Sequence, residues 1–136
     1  MKVFLDTNVL VSAFTTRGLC ADLFRLVLAE HELLSGEIVL EELRRVLQER
    51  FRLPPTVTAG IEELLRSQGR IMPRPAAPAT TGAADPDDEW IIASALLGQA
   101  DALISGDKDL LILGSAGNMP IFDPRGFWQY LKAGHT

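Results

Sequence analysis

An α/β domain with a parallel sheet and helices on both faces is what this sequence predicts. Three observations predict it. Apolar strand-like runs alternate along the chain with segments of helical periodicity, the pattern of strand–helix–strand units that build parallel sheets. Two of those runs, Val3-Phe4-Leu5 and Ala102-Leu103-Ile104, lack the polar alternation of a half-exposed strand and read as buried on both faces. The chain has 136 residues, which suits one domain spanning 1–136 with a core of its own.

The first run stops at Asp6-Thr7-Asn8, so a carboxylate sits at a strand's carboxyl end, where open parallel sheets bind ligands. Asp6 or Asn8 could equally cap the short helix expected over residues 9–14. A loop follows at 15–18, then a helix at 19–31 with Leu19, Leu23, Leu26 and Val27 spaced by threes and fours, then a short strand at 32–34. Ser35 suits the N-cap of an amphipathic helix over 37–51. Steps of ~100° per residue put Val39, Leu40, Leu43, Val46, Leu47 and Phe51 on its buried side and Glu41 on the solvated one. Glu42 falls at the margin of the apolar stripe, where a carboxylate must be neutral, paired or bound to a cation.

Pro54 and Pro55 break that helix, and the next runs over 56–68 with Thr56 or Thr58 as its cap and Gly69 as its stop. Residues 70–73 form a peripheral strand, and 74–84, rich in Pro, Ala, Thr and Gly, an exposed loop. Asp85 as N-cap and Pro86 at the first helical position open the most apolar helix, with Trp90 to Leu97 as its body. Asp87 and Glu89 complement its dipole. Asp88 instead shares the core-facing side with Ile91, Ile92 and Ala95. The second buried run ends, like the first, on an acid, in Ser105-Gly106-Asp107-Lys108-Asp109. A short helix at 110–113, a strand at 119–122 and a closing helix at 123–133 complete the chain, with Trp128 and Tyr130 as packing residues. His31 and His135 show no ligating or catalytic pattern.

Charge narrows the chemistry. The net charge of −5 argues at first against a nucleic-acid partner, but residues 85–109 hold seven acids and one base, leaving twelve bases against eleven acids elsewhere. A concentrated negative site on a balanced chain suits divalent cations. The single cysteine, Cys20, excludes an internal disulfide and fits a reducing, cytoplasmic setting. An early secretory signal is interrupted by Asp6 and Asn8, and no stretch reaches the ~18 apolar residues of a membrane span.

If the strands ending in Asp6 and Asp107 are neighbours, their backbones lie ~4.8 Å apart. Glu42 and Asp88 would join them from flanking helices. Four such carboxylates cannot all stay ionised together without a counter-charge. With no His or Cys among them, the donor set favours Mg²⁺ or Mn²⁺ over zinc, and carboxylate-bound Mg²⁺ is the common apparatus of phosphoryl chemistry. No Gly-rich phosphate loop is present, against a nucleoside-triphosphate hydrolase.

In order and spacing, Phe4-Leu5-Asp6-Thr7-Asn8, Glu42-Leu43, Asp85-Pro86-Asp87-Asp88 with Ala93-Ser94-Ala95-Leu96, and Ser105-Gly106-Asp107-Lys108-Asp109-Leu110 resemble the PIN-domain ribonucleases. Within them the likeness is to the toxins of VapC-like toxin–antitoxin systems, over nearly the whole chain. The resemblance implies a three-layer α/β/α fold with a five-stranded parallel sheet ordered 3-2-1-4-5. It implies Mg²⁺- or Mn²⁺-dependent cleavage of RNA, a cognate antitoxin and a homodimer. It assigns Asp6, Glu42, Asp88 and Asp107 as catalytic metal ligands and Asn8, Ser105 and Asp109 as supporting polar residues. One departure is Asp107, where many VapC members carry Asn. Two other readings compete: a non-catalytic module that keeps the fold for binding, and a phosphatase phosphorylated on Asp6. The latter wants a second acid where this chain has Asn8.

Overall fold

The structure is a computed structural model that describes residues 1–134; His135 lies outside them. In chain order the elements are β1 (Lys2–Leu5), α1 (Thr7–Thr15), α2 (Leu19–Glu30), β2 (Glu32–Gly36), α3 (Glu37–Glu49), α4 (Pro55–Gln68) and β3 (Arg70–Met72). There follow α5 (Pro86–Leu97), β4 (Ala102–Ile104), α6 (Lys108–Leu113), β5 (Ser115–Ala116), β6 (Met119–Phe122) and α7 (Pro124–Lys132).

The strands form one sheet in the order β3-β2-β1-β4-β6-β5. Its first five are parallel and stand in the expected 3-2-1-4-5 order once the last parallel strand is counted fifth. The expectation of five strands needs one correction: β5 adds a sixth, antiparallel edge, pairing Ser115 with Pro120 and Ala116 with Met119 across a turn in which Gly117 takes φ 59°. Two residues are too few to show strand patterning in a sequence.

β1 and β4 lie side by side with Leu5 opposite Ile104, and every residue from Val3 to Leu5 and from Ala102 to Ile104 is fully buried. The chain leaves β1 towards β2 and β3 on one side, and β4 towards β6 on the other, so the strand order reverses between β1 and β4. Crossovers of one hand running in opposite directions place helices on opposite faces of the sheet. Between β6 and α7, Phe122 packs 4.9 Å from Tyr130 and 5.6 Å from Phe127, centroid to centroid.

Several local expectations change. Ser35 does not cap α3; it pairs in register with Ile71, because β2 runs on to Gly36 alongside β3. Gly36 is the cap, without a side-chain hydrogen bond, and a Cβ there would meet Ser94 of α5 at 3.3 Å. Neither Thr56 nor Thr58 caps α4: Pro54 does, with Pro55 opening the helix, and Thr58 instead receives a hydrogen bond from Gln48. α3 stops at Glu49, which leaves Phe51 beyond its end and 38% exposed instead of in the core. Asp85 and Pro86 open α5 as expected, the Asp85 carboxylate accepting the N–H of Asp87 at 2.9 Å.

Candidate active site

Asp6 follows the last residue of β1, at the point where the strand order reverses. Its backbone N–H continues the ladder to Ile104 O at 3.0 Å, which fixes the residue before its side chain makes any contact. The side chain both caps α1 and faces the site: Oδ1 accepts the Thr7 N–H at 2.7 Å, and Oδ2 accepts the Ser105 hydroxyl at 2.8 Å and Asn8 Nδ2–H at 3.3 Å. The capping role open in the sequence therefore holds, and it leaves the same carboxylate lining the cavity.

Asn8 and Ser105 tie this strand end to the next. Asn8 Oδ1 accepts the Gly106 N–H at 2.7 Å, and Ser105 Oγ accepts the Asp107 N–H at 3.0 Å. A Cβ on Gly106 would meet Asn8 Oδ1 at 3.3 Å, so the bare glycine allows the close approach. Asp107 caps α6, its Oδ1 accepting the Asp109 N–H at 2.9 Å.

Asp88 arrives from the first turn of α5. It is 6% exposed, as its apolar-side position implied, and its Oδ2 is buried with no hydrogen-bond partner among the described residues. Burial pushes its carboxyl up to about 7, with further repulsion from Asp107, Asp85 and Asp6. Burial also raises Asp6, against the opposing pull of its hydrogen bonds from Ser105 and Thr7. Glu42, half-buried on α3, is raised by burial and then by Asp6, while the Arg45 guanidinium opposes the shift.

Asp6, Glu42, Asp88 and Asp107 all line one cavity of about 1150 Å³. At its edge Asp88 and Asp107, which line it, and Asp109, which does not, offer carboxylate oxygens that lie within 4.8 Å of one another. Asp6 and Glu42 face the same space without joining that trio. Asp109, read from the sequence as a supporting residue, thus stands in the tightest group. The signal for it was the Asp-x-Asp spacing, since a capping acid draws the second residue of its helix towards itself. Asp85 and Asp87 also line the cavity, beyond the dipole and capping roles that the sequence gave reason to assign.

These donors fit a hard divalent ion. They are carboxylate oxygens with no His or Cys, they repel one another, and one of them is buried and unpartnered.

Fold and site together define a class: an open α/β domain with hard oxygen donors gathered at its switch point. A family model described as a PIN domain matches residues 2–109, and the chain belongs to that family, whose members are generally nucleases that use divalent metals. A comparison with curated proteins returned no match. Among solved structures, VapBC2 from Rickettsia felis, bound to a DNA fragment from their promoter, is similar with a TM-score of 0.62 and 14% identity, covering 90% of this chain and 98% of that one. PAE2754 from Pyrobaculum aerophilum is similar with a TM-score of 0.61 and 14% identity, over 98% of this chain and 96% of that one. FitAcB from Neisseria gonorrhoeae gives 0.55 and 17%, over 90% of this chain and 98% of that one. At such identities these likenesses speak for the fold alone.

Proposed function

We propose that this protein is a metal-dependent endoribonuclease and the toxin of a type II toxin–antitoxin pair. One observation carries the reading: carboxylates from four separate parts of the chain converge on one cavity, and Asp88, as buried as Asp6, keeps an oxygen without a partner among the described residues. Asp6, Glu42, Asp88 and Asp107 are the residues that would hold Mg²⁺ or Mn²⁺, with Asp109 close enough to Asp88 and Asp107 to share in it. When bound, such an ion acidifies a water and offsets charge on a phosphodiester.

The chain's own groups divide the remaining work. Ser105 and Asn8 orient the Asp6 carboxylate by donating to Oδ2, so its free lone pairs are aimed before anything binds. The cap contact to the Asp109 N–H holds Asp107 in the same way. Asp88, with its carboxyl pushed up to about 7 in the metal-free fold, would give up its proton to take the ion, so loading the site should release a proton near neutrality.

The family and the VapBC2 likeness support a small antitoxin protein as partner. The same reading takes residues 1–136 as one domain, a homodimer as the assembly and the cytoplasm as the location. Among the described residues no helix is long and apolar enough to cross a membrane.

The test is cleavage of a mixed RNA pool with and without Mn²⁺, followed by mapping of the cut sites. Defined cuts that require Mn²⁺ and vanish in Asp6→Asn and Asp88→Asn, both still folded, are the expected result. No cleavage, together with no rise in melting temperature on adding Mn²⁺, would instead favour a non-catalytic binding module.

A further inference from the structure

The geometry points to a phosphate track along the C-terminal half of α3, on which Arg45 and Arg50 hold the backbone of a single-stranded nucleic acid while Phe51 stacks one of its bases. The inference deepens the nuclease reading and rests on it for the identity of the ligand.

Seven arginines fall between positions 44 and 74, at 44, 45, 50, 52, 66, 70 and 74, and the structure sorts them. Arg44 is paired with Glu62, Arg66 with Glu37 and Glu62, and Arg74 with Glu41. Arg52 and Arg70 do not line the cavity. Arg45 and Arg50 do, and neither makes an ion pair or a side-chain hydrogen bond among the described residues. They are the wall's cations without an ion-pair contact, although Arg45 also acts on the Glu42 carboxylate from a distance.

Their placement follows the helix. At 1.5 Å per residue, Arg45 and Arg50 stand ~4.5 and ~12 Å beyond Glu42 along the α3 axis, so the cations extend away from the acids along one wall. The Arg50 guanidinium lies 5.7 Å from the centroid of the Phe51 ring, and this ring lines the cavity too. Cations beside an exposed aromatic ring are the combination that binds single strands without reading their sequence. At about 1150 Å³ the cavity exceeds the ~300–1,000 Å³ typical of small-molecule pockets. Arg50 also sits at the C-terminal cap of α3, where a cation complements the helix dipole, but that role makes no use of the cavity. Glu49 is the exposed acid on this stretch of wall, and it opposes a phosphate.

The probe is a fluorescently labelled single-stranded RNA of roughly 12 nucleotides, within the span that such sites cover. Its binding to the full chain is followed by anisotropy in EDTA over a range of NaCl concentrations, so that no cleavage intervenes. The double variant Arg45→Gln/Arg50→Gln should bind about tenfold more weakly. Its slope of log K against log salt should be shallower by about 1.4, or ~0.7 for each lost phosphate contact. Arg70→Gln/Arg125→Gln removes the same charge from outside the cavity and should change neither quantity. Phe51→Ala should weaken binding by about tenfold, Glu49→Gln should tighten it, and a duplex of equal length should compete poorly.

The track fails if the wild type binds no RNA, if the two double variants behave alike, or if the duplex competes as well as the single strand. Cleavage by the wild type with Mn²⁺ reads the parent proposal separately. A chain that cleaves while Arg45→Gln/Arg50→Gln leaves binding intact keeps the nuclease and loses the track. A chain that binds through these arginines without cleaving keeps the track and loses the nuclease.

Discussion

Asp88 shows what a single residue can reveal before any coordinates exist. Asp85 and Pro86 already account for the start of α5, which left a third acid on the same side as Ile91, Ile92 and Ala95 without a local purpose. Its burial and its orphaned oxygen are the structural form of that surplus. A prediction about pH follows. The carboxyl lies at about 7 in the fold against 3.8 when free, so the folded state favours its protonated form. For an acid raised in this way, the native state is favoured below the unfolded value, and that advantage is lost as pH rises through the folded one. The metal-free protein should therefore lose stability between about pH 4 and 7, by at most ~4 kcal/mol at ~1.4 kcal/mol per pH unit. Thermal melts in EDTA across that range should show the fall in the wild type and a shallower one in Asp88→Asn, since Asn does not ionise while Asp6 and Glu42, raised in the same direction, still do. Equal slopes would remove Asp88 as the cause. Ser105 offers a second check at this scale. Ser105→Ala deletes the hydroxyl that donates to Asp6 and receives the Asp107 N–H, and should cost about 1–3 kcal/mol in a denaturant melt while weakening Mn²⁺ binding.

At the level of elements, the strongly patterned segments were legible and the short or tertiary-determined ones were not. β1 and β4 declared themselves through unbroken apolar runs, and α5 through its cap. Ser35 misled because serine before an amphipathic run is an ordinary capping signal, and nothing local reveals that β3 extends β2 by two residues. Phe51 misled for a related reason: periodicity continued past the point where α3 ends. In the site, the acids at strand ends could be read directly, whereas the trio of Asp88, Asp107 and Asp109 depends on the turn that α6 makes at its own start. The packing of β2 against α5 links an element to the site. Gly36→Val would drive a branched side chain towards Ser94, whose Cβ and Oγ lie 3.3 Å from where a Cβ would stand. Overpacking of this kind costs about 1–3 kcal/mol. Because Ser94 and Asp88 share α5, the variant should melt earlier and also show a smaller rise in melting temperature with Mn²⁺. Gly36→Ala should show the milder form of both effects.

For the molecule as a whole, the acidic cavity is a liability of the metal-free fold and an asset of the loaded one. The burial that raises Asp6, Glu42 and Asp88, and the repulsion that adds to it, are present whenever the sheet is assembled, because all three are carried to the same cavity by β1, α3 and α5. An ion that binds only the folded state stabilises it by mass action, about 2.7 kcal/mol at a concentration one hundred times the dissociation constant. Since the ion and the proton compete for the same carboxylates, the two effects must be coupled. The rise in melting temperature produced by a fixed Mn²⁺ concentration should be small at pH 5, where Asp88 holds its proton, and should grow towards pH 8, where it does not. His31, lowered by burial, titrates with the opposite sign in the metal-free protein, but it lies outside the cavity and should not alter the increment from Mn²⁺. Calorimetric melts with and without Mn²⁺ at each pH measure that increment directly. An increment independent of pH, or one retained in Asp88→Asn, would place the ion somewhere other than among these acids.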